Sequence, residues 1–405
     1  MTTPPTISRR LYCDNAATSF PKPPEVLRAM AAYATDIGAS AGRGGYVEAQ
    51  RSAAVIHTCR DRLNALFHGQ NPLHFLFTLN CTDALNTAIH GILAPALRAN
   101  TPSHAIATQM DHNSVLRPFH AYADTANFQA TYLPVDPIAC VVDPHDVKKA
   151  LRPDTKLIAV VHGSNVTGTL QPIREIGKIA REANIPFLVD AAQTAGHVPI
   201  DLQADFIDLL AFPGHKGLLG PLGTGALYIR PGLESIMEPL RLGGTGSISE
   251  QPRQPDFMPD KFESGSHNAV GIAGLSEGLA WILNKTVPAL FTHDQNLCKT
   301  FMEAVDGCEG LRYLGPQGIK HRMGVFSVQI DNLSPHQLAD RLEADFGILT
   351  RAGLHCAPLA HQHLGTTAAG GTCRLSFGPF LNLPDIQFAA DALASIALST
   401  CAAAP

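Results

Sequence analysis

A lysine and a histidine follow directly on a buried-looking apolar segment of this chain. Residues 206–228 have the sequence FIDLLAFPGHKGLLGPLGTGALY, so His215 and Lys216 come where the apolar segment ends and a glycine-rich loop begins. A lysine in such a place suits an amine that has to react. One chemistry that needs it is covalent attachment of pyridoxal phosphate as a Schiff base, with an acidic partner for the ring nitrogen. Taken alone, a lysine at a strand end is more often a solvated surface residue.

Two further polar residues follow apolar segments in the same way. Asn165 comes after residues 156–162 (KLIAVVH), and Asp190 comes after residues 186–189 (PFLV). Between these segments, residues 172–183 have apolar side chains at helical spacing, and alternating strands and helices are typical of a parallel sheet covered by helices. Ligands bind at the carboxyl edge of such a sheet. We therefore expect Asn165, Asp190, His215 and Lys216 to converge on one site.

A possible phosphate site lies earlier in the chain. Residues 75–78 are predicted to form a strand, and Asn80, Cys81 and Thr82 then begin a helix. Free N–H groups at the start of a helix, with hydroxyl-bearing residues nearby, are well suited to bind phosphate. The alternative is that Asn80 or Thr82 only caps the helix, which is the commoner role of such residues.

The pattern changes after about residue 280. Helices are predicted at 275–283, 297–305 and 335–346, around a strand at 324–330, and together they indicate a smaller α+β domain. This part ends with residues 351–358, RAGLHCAP, which contain Cys356. A nucleophilic cysteine must be at least partly thiolate, and His355 and Arg351 are the cationic candidates close to it in sequence.

Composition excludes several classes of protein. A chain of 405 residues is long for one core, which favours two domains, and 45% hydrophobic with 16% charged residues is typical of a soluble enzyme. A net charge of −5 gives no reason to expect nucleic acid as a partner. No apolar segment is long enough to span a bilayer. The nine cysteines have no paired spacing, which indicates a reducing compartment, and we expect a cytoplasmic protein.

Taken together, seven motifs resemble the cysteine desulfurases, a group within the class V aminotransferase family of fold-type I pyridoxal phosphate enzymes. The motifs occur in the family's order over nearly the whole chain: YCDNAATSFPKP (12–23), MDHNSVLRP (110–118), HGSNVTGTLQPI (162–173), VDAAQTAGH (189–197), GHKGLLGPLGTG (214–225), FESGSHN (262–268) and RAGLHCAP (351–358). The form RxGxHCA resembles the group with a short, ordered cysteine loop. The resemblance implies an α/β fold. Residues 14–280 would form a large domain with a mostly parallel seven-stranded sheet, and residues 1–13 and 281–405 a smaller α+β domain.

The resemblance also implies a role for each site residue. Lys216 would form the Schiff base and move the α-proton of the substrate. The other cofactor contacts would come from residues at four places around pyridoxal 5′-phosphate: His112 stacked on the ring, Asp190 at the ring nitrogen, Gln193 at the phenolic oxygen, and Cys81, Thr82 and His215 at the phosphate. Ser266 would reach the phosphate from the second subunit of a homodimer. Asn165 would lie near the ring and the substrate carboxylate, which Arg374 would bind through two hydrogen bonds.

The implied reaction converts L-cysteine to L-alanine. Cys356 would attack the substrate sulfur, keep it as a persulfide and deliver it to an acceptor protein. Two departures from the family pattern concern the phosphate: Pro213 stands where a hydroxyl residue is common, and Asn80-Cys81-Thr82 replaces Gly-Thr-Thr. Both changes are expected to affect phosphate affinity more than chemistry.

Several alternatives stay open at the level of sequence. The same fold includes selenocysteine lyases, other C–S lyases and aminotransferases. An alternative of a different class is a non-catalytic regulatory protein that binds pyridoxal phosphate or a metal. A cluster of potential zinc ligands comprises His355, Cys356, His361, His363 and Cys373. Its spacing matches no common zinc pattern, so no metal site is expected. For the eight cysteines other than Cys356 we expect the usual fate, a buried and unreactive thiol.

Overall fold

The computed structural model describes residues 9–41, 44–124 and 127–402. Within these residues the strands are β1 (Leu11–Tyr12), β2 (Phe75–Thr78), β3 (Ser103–Thr108), β4 (Phe128–Leu133), β5 (Thr155–Val161), β6 (Phe187–Asp190), β7 (Leu209–Pro213), β8 (Gly225–Ile229), β9 (Leu311–Tyr313), β10 (Val325–Ile330), β11 (Ile348–Leu349), β12 (Arg351–Gly353) and β13 (Thr372–Ser376). The α-helices are α1 (Pro24–Ala32), α2 (Val47–Leu66), α3 (Cys81–Arg98), α4 (Asn113–Ala123), α5 (Pro144–Ala150), α6 (Ile173–Glu182), α7 (Ala269–Lys285), α8 (Val287–Val305), α9 (Pro335–Phe346), α10 (Pro358–His363) and α11 (Leu383–Ala402).

A seven-stranded sheet forms the centre of the molecule, with the strand order β2-β8-β7-β6-β5-β3-β4. Its strands run parallel from β7 to β4, and β8 is antiparallel to both of its neighbours. The predicted sheet, mostly parallel and seven-stranded, is confirmed.

Helices cover both faces of this sheet. Side chains alternate between the faces along each strand, so Val189 and Leu210 pack with α2, α6 and α7, whereas Leu188 and Leu209 pack with α3 and α4. Because both faces are buried, the inner strands are apolar almost throughout. The polar residues that follow these strands are therefore held at the sheet edge by a rigid base.

A second, antiparallel sheet has the order β12-β13-β10-β9 and packs with α8, α9 and α11 around a core of its own. β1 pairs in parallel with β11, and Asp14 forms an isolated bridge to Ser376. These pairings join the beginning of the described chain to segments near its C-terminal end. The predicted boundary at 280/281 lies inside α7, and residues 1–8 and 403–405 lie outside the described residues, so the division stays a prediction.

The predicted elements exist, and some of their ends differ. The strand at 75–78 and the helix at 335–346 are confirmed to the residue. The strand predicted to begin at Phe206 begins at Leu209, since Phe206 has a left-handed backbone with φ of 57°. The helix predicted from 275 begins at Ala269, because the Asn268 side chain accepts a hydrogen bond from the Gly271 N–H and caps it.

All nine cysteines are unpaired. The part of the chain that the structure describes includes no helix that is both long and apolar enough to cross a membrane.

Candidate active site

The carboxyl ends of β5, β6 and β7 open into one cavity, which we call the cofactor cavity. Its volume is about 530 Å³, which includes space open to solvent. Eight of the nine predicted cofactor-binding residues line it: Cys81, Thr82, His112, Asn165, Asp190, Gln193, His215 and Lys216. The predicted convergence of Asn165, Asp190, His215 and Lys216 is therefore confirmed, because parallel strands end at a common edge.

Lys216 and Asp190 form an electrostatic pair in this cavity. Burial lowers the pKa of Lys216 below its ordinary value, and Asp190 acts in the opposite direction. Burial also raises the pKa of Asp190, which the Ala192 N–H and the Lys216 charge oppose. The Ala192 N–H donates to Asp190 Oδ1 over 2.9 Å. A lysine with a lowered pKa has more of its amine in the neutral, nucleophilic form.

The beginning of α3 forms the end of the cavity where phosphate binding is predicted. Asn80 caps the helix, its side chain accepting a hydrogen bond from the Asp83 N–H. The Thr82 hydroxyl lies 2.8 Å from the Ser114 hydroxyl, and the Cys81 thiol donates to Asp190 Oδ1 over 3.5 Å. Asn80 is therefore a helix cap, and Cys81 and Thr82 in the first turn of this 18-residue helix line the cavity, where phosphate binding stays a prediction.

His112 is neutral in this site. Burial lowers its pKa to about 4, and the nearby charges of Lys216, Arg117, Arg351 and Arg374 act in the same direction. Its Nδ1 accepts a hydrogen bond from the Ser114 N–H over 3.1 Å and so caps α4. The ring is therefore fixed beside the cavity and carries no charge that would repel a protonated pyridine.

Residues 12–22, which we call the N-terminal segment, contact two predicted cofactor residues. Gln193 Nε2 donates to the Ala16 carbonyl over 3.0 Å. The His215 carbonyl accepts hydrogen bonds from Thr18 Oγ1, Ser19 N, Ser19 Oγ and Lys22 Nζ at 3.0, 3.0, 3.1 and 2.8 Å. These bonds fix the peptide group that precedes Lys216.

Arg374 is buried, 1% exposed, and pairs with a carboxylate of the same segment. Its Nη2 donates to Asp14 Oδ1 over 2.6 Å, and its Nη1 donates to the Asn165 carbonyl over 3.2 Å. Arg374 Nε has no hydrogen-bond partner among the described residues. One donor of the guanidinium is thus free for a ligand.

Cys356 is exposed on residues 354–357, which we call the cysteine loop. The loop is joined to the cofactor cavity by two hydrogen bonds: Asn165 Nδ2 donates to the His355 carbonyl over 2.6 Å, and the Asn113 N–H donates to the Cys356 carbonyl over 2.8 Å. His355 itself is buried, which lowers its pKa to about 2. It is therefore neutral and cannot be the cation beside the thiolate, whereas Arg351 is exposed.

The expectation for the other cysteines is wrong in part. Cys13, Cys59, Cys140, Cys298 and Cys373 are buried, but Cys401 is exposed and Cys81 and Cys308 are partly exposed. Cys401 lies near the end of α11, where helix packing no longer covers it. Cys81 opens into the cofactor cavity.

The potential zinc ligands do not form a joint site. The His361 Nδ1 bonds to the Thr366 hydroxyl over 2.7 Å, and His355 Nε2 lies 3.2 Å from the Thr372 carbonyl. No group of three or more potential ligands within the described ranges could hold a metal ion.

Ser266 is the predicted cofactor-binding residue that does not line this cavity, and the predicted catalytic Cys356 and substrate-binding Arg374 also lie outside its lining. Ser266 is exposed and lines a separate space of about 670 Å³ beside Thr78, Gly223 and Arg241. A role in the same subunit's cavity is therefore not supported, and the predicted contact through a second subunit stays a prediction.

Sequence reasoning missed four residues that organise the site: Asp14, Lys22, Asn113 and Ser114. All four occur within motifs quoted above, YCDNAATSFPKP and MDHNSVLRP. The motif signal was therefore present. What the sequence lacked was any indication that Asp14 meets Arg374 or that Lys22 meets the His215 carbonyl.

The residues present fit pyridoxal phosphate. Asn165 Oδ1 and His215 Nδ1 are buried polar atoms without a partner in the described chain, so the cavity offers polar groups that a ligand can satisfy. An amine with a lowered pKa, a buried carboxylate and a helix N-terminus line its walls together. These are the groups that an aldehyde, a pyridine nitrogen and a phosphate require.

The chain is similar in sequence and in structure to known proteins. A family model described as Aminotransferase class-V matches residues 11–388. The probable cysteine desulfurase of Methanothermobacter thermautotrophicus is 33% identical over 396 residues, which covers 97% of this chain and 96% of that protein. The solved structure of the cysteine desulfurase of Thermococcus onnurineus superposes with a TM-score of 0.89 at 30% identity, covering 96% of this chain and 95% of the other. The cysteine desulfurase CsdA of Escherichia coli gives a TM-score of 0.83 at 26% identity, covering 96% and 94%.

Proposed function

The chain belongs to the class-V aminotransferase family and has its fold-type I architecture, and from this premise we propose that it is a pyridoxal 5′-phosphate-dependent cysteine desulfurase. It converts L-cysteine to L-alanine and keeps the sulfur as a persulfide on Cys356. The relatives described as cysteine desulfurases support this assignment over nearly the whole length of the chain.

One observation carries the proposal: an exposed cysteine lies on a loop whose backbone is bonded to residues at the cofactor cavity. The Cys356 and His355 carbonyls are held by Asn113, next to His112, and by Asn165, which lines the cavity with Lys216. An aminotransferase has no need for a thiol at this place. The arrangement therefore favours sulfur transfer over the other reactions of the fold.

We assign the cofactor to the residues that line the cavity. Lys216 would hold it covalently, Asp190 would face the ring nitrogen, His112 the ring and Gln193 the phenolic oxygen. The start of α3, with Cys81 and Thr82, would bind the phosphate together with His215. When bound, pyridoxal phosphate supplies a sink for the electrons released at the substrate's α-carbon.

The protein's own groups carry the remaining chemistry. Arg374 binds the substrate carboxylate, and its free Nε supports this role. Lys216, with its lowered pKa, moves the α-proton as a base and returns it as an acid. The Cys356 thiolate attacks the substrate sulfur, so that an S–S bond forms, the C–S bond breaks, and its electron pair stays with the carbon skeleton. Protonation of that carbon yields alanine.

The proposal includes partners that belong to this chemistry. A persulfide is useful only if it is passed on, so an acceptor protein is expected, and the exposure of Cys356 suits its access. A homodimer is expected because Ser266 lies outside the lining of its own cofactor cavity and would serve the second subunit. Nine unpaired cysteines suit a reducing compartment, which supports the cytoplasm as the location.

The test measures alanine formed from L-cysteine in the presence of a thiol reductant. Wild type should form alanine, and Cys356→Ala should lose at least 100-fold in rate because the sulfur has no acceptor. Cys401→Ala is the matched control, since it removes another exposed thiol and should keep the wild-type rate. Full activity in Cys356→Ala, or no alanine from wild type, would contradict the proposal.

A second measurement tests the cofactor assignment separately. Lys216→Ala should lose the visible absorbance of the lysine-linked cofactor, while Cys356→Ala should keep it. A Lys216→Ala protein with unchanged absorbance would show that another residue holds the cofactor.

A further inference from the structure

Two consecutive residues of the cysteine loop have an unfavourable backbone conformation. His355 has φ of 49° and Cys356 has φ of 58°, and both carry a Cβ, which makes the left-handed region costly. Such a conformation persists only where its surroundings determine it. The loop must therefore have contacts that hold it.

Burial holds the two flanks of the loop. His355 is 4% exposed with its Nε2 near the Thr372 carbonyl, and Ala357 is fully buried and donates its N–H to the Leu354 carbonyl over 3.0 Å. Between these flanks the Cys356 side chain is exposed. The flanks alone leave the carbonyls of His355 and Cys356 to find partners elsewhere.

Two residues beside the cavity donate hydrogen bonds to these carbonyls. The backbone N–H of Asn113 donates to the Cys356 carbonyl, and the side chain of Asn165 donates to the His355 carbonyl. Asn165 Nδ2 donates to the His355 carbonyl over 2.6 Å, and Asn165 is 7% exposed. Its backbone carbonyl accepts from Arg374 Nη1 over 3.2 Å. Arg374, Asn165 and His355 thus form a continuous chain of contacts from the predicted carboxylate site to the cysteine loop.

The chemistry of the amide group determines how Asn165 can serve both sides. Nδ2 has two hydrogens, of which the His355 carbonyl takes one, so the second is available for a carboxylate oxygen. Oδ1 has no partner in the described structure and would be repelled by a carboxylate. A substrate bound through Nδ2 would therefore fix the amide in the orientation that holds the loop.

We propose that Asn165 is a positioning residue for Cys356, because its side-chain amide holds the cysteine loop against the cofactor cavity. Through this amide, the position of the Cys356 thiol depends on whether a carboxylate is bound at the predicted carboxylate site. The inference rests on the proposed function and adds to it a residue that acts through the loop. Asn165 touches no atom of the thiol, and its effect passes through the His355 carbonyl.

The first test needs neither substrate nor turnover. Amide hydrogen exchange of the cysteine loop is measured on the cofactor-loaded protein for wild type, Asn165→Ala and Asn165→Asp. Both variants lack the donor, and Asp has the size of Asn, so exchange in the loop should rise at least tenfold in each. Unchanged exchange in both variants overturns the proposal.

Ser164→Ala is the matched control. The Ser164 hydroxyl accepts hydrogen bonds from the Val166 and Thr167 N–H groups, each over 3.2 Å, so this change removes two other bonds of the same turn and touches no residue of the cysteine loop. It should leave exchange in the cysteine loop at the wild-type rate. A rise equal to that of the Asn165 variants would mean that general loosening of the turn, and not the Asn165 amide, frees the loop, which overturns the proposal.

The second test follows a single turnover with saturating L-cysteine. In Asn165→Ala the change in cofactor absorbance on substrate binding should persist, while the persulfide on Cys356, detected by mass spectrometry, should form at least tenfold more slowly. Slower persulfide formation with unchanged loop exchange would assign Asn165 to substrate binding alone and overturn the proposal. If loop exchange rises but wild type forms no persulfide, the desulfurase function fails and the contact between Asn165 and the loop stands.

Discussion

At Arg374 a fully buried guanidinium is shared between structure and substrate. Asp14 and the Asn165 carbonyl take two of its nitrogens, and Nε is free. Lysine at this position would keep the charge but lose the planar fork that meets both partners and a carboxylate at once. The geometry of the group therefore matters as much as its charge.

Arg374→Lys should raise the KM for L-cysteine with a smaller effect on kcat. Loss of one hydrogen bond to a charged group costs about 1.5–3 kcal/mol, or about 10- to 150-fold in binding. Steady-state kinetics of alanine formation measure both constants. Arg312→Lys, on an exposed arginine paired with Asp331, should leave KM unchanged, and an unchanged KM in Arg374→Lys would remove that residue from the carboxylate site.

The residues that the sequence could place are those whose position follows from local rules. Asn165, Asp190 and Lys216 follow parallel strands, and such strands end at one edge, so their convergence needed no knowledge of packing. Asp14 could not be placed in this way, because it meets Arg374 from 360 positions away in the chain. The neutrality of His355 likewise depends on burial under β13, which its sequence neighbours do not reveal.

Among the elements, the edge strand β2 depends on a buried ion pair. Arg60 of α2 pairs with Glu263, both nearly inaccessible, and Glu263 Oε1 also accepts from the Phe77 N–H over 2.6 Å. The Arg60 guanidinium lies over the Phe77 ring at 4.7 Å. Glu263 therefore attaches the segment that carries Ser266 to the strand that precedes the predicted phosphate site.

Glu263→Ala should lower the free energy of unfolding by about 3–5 kcal/mol, because it leaves the Arg60 charge buried without a partner. Urea unfolding followed by fluorescence of Trp281, the single tryptophan, measures this. Asp331→Ala breaks an exposed pair with Arg312 and should cost less than about 1 kcal/mol. Equal costs for the two changes would contradict the role given to the Arg60–Glu263 pair.

Across the whole molecule, buried titratable groups set the response to pH. Burial lowers the pKa of several histidines, and most strongly that of six: to about 2 for His355, about 3 for His162 and about 4 for His112, His197, His215 and His361. It raises the pKa of Asp111 and Asp294 to about 7, and raises that of Asp190. Between pH 4 and 6.5 the histidines and the carboxyl groups change the free energy of unfolding in opposite directions.

Without cofactor, the free energy of unfolding should rise as the pH rises from 4.5 to 6.5. In this window the unfolded chain takes up protons on histidines that stay neutral in the folded protein, so a fall in pH destabilises the folded state. These six histidines outnumber the three carboxyl groups whose raised pKa has the opposite effect. Urea unfolding at several pH values measures the slope. His162→Gln should reduce it and exposed His145→Gln should not. A slope of the opposite sign would contradict the dominance of the histidines.

The pairing of β1 with β11 has a consequence for how the protein is made. Leu11 meets Ile348, so β1 has no strand partner until the ribosome has translated that far. At ~10 residues per second this delay is on the order of half a minute. By then all seven strands of the central sheet have been translated, but Arg374 has not. The cofactor cavity of the nascent protein can therefore form long before the protein can catalyse its reaction. The Cys356 thiol is not positioned until synthesis is almost finished.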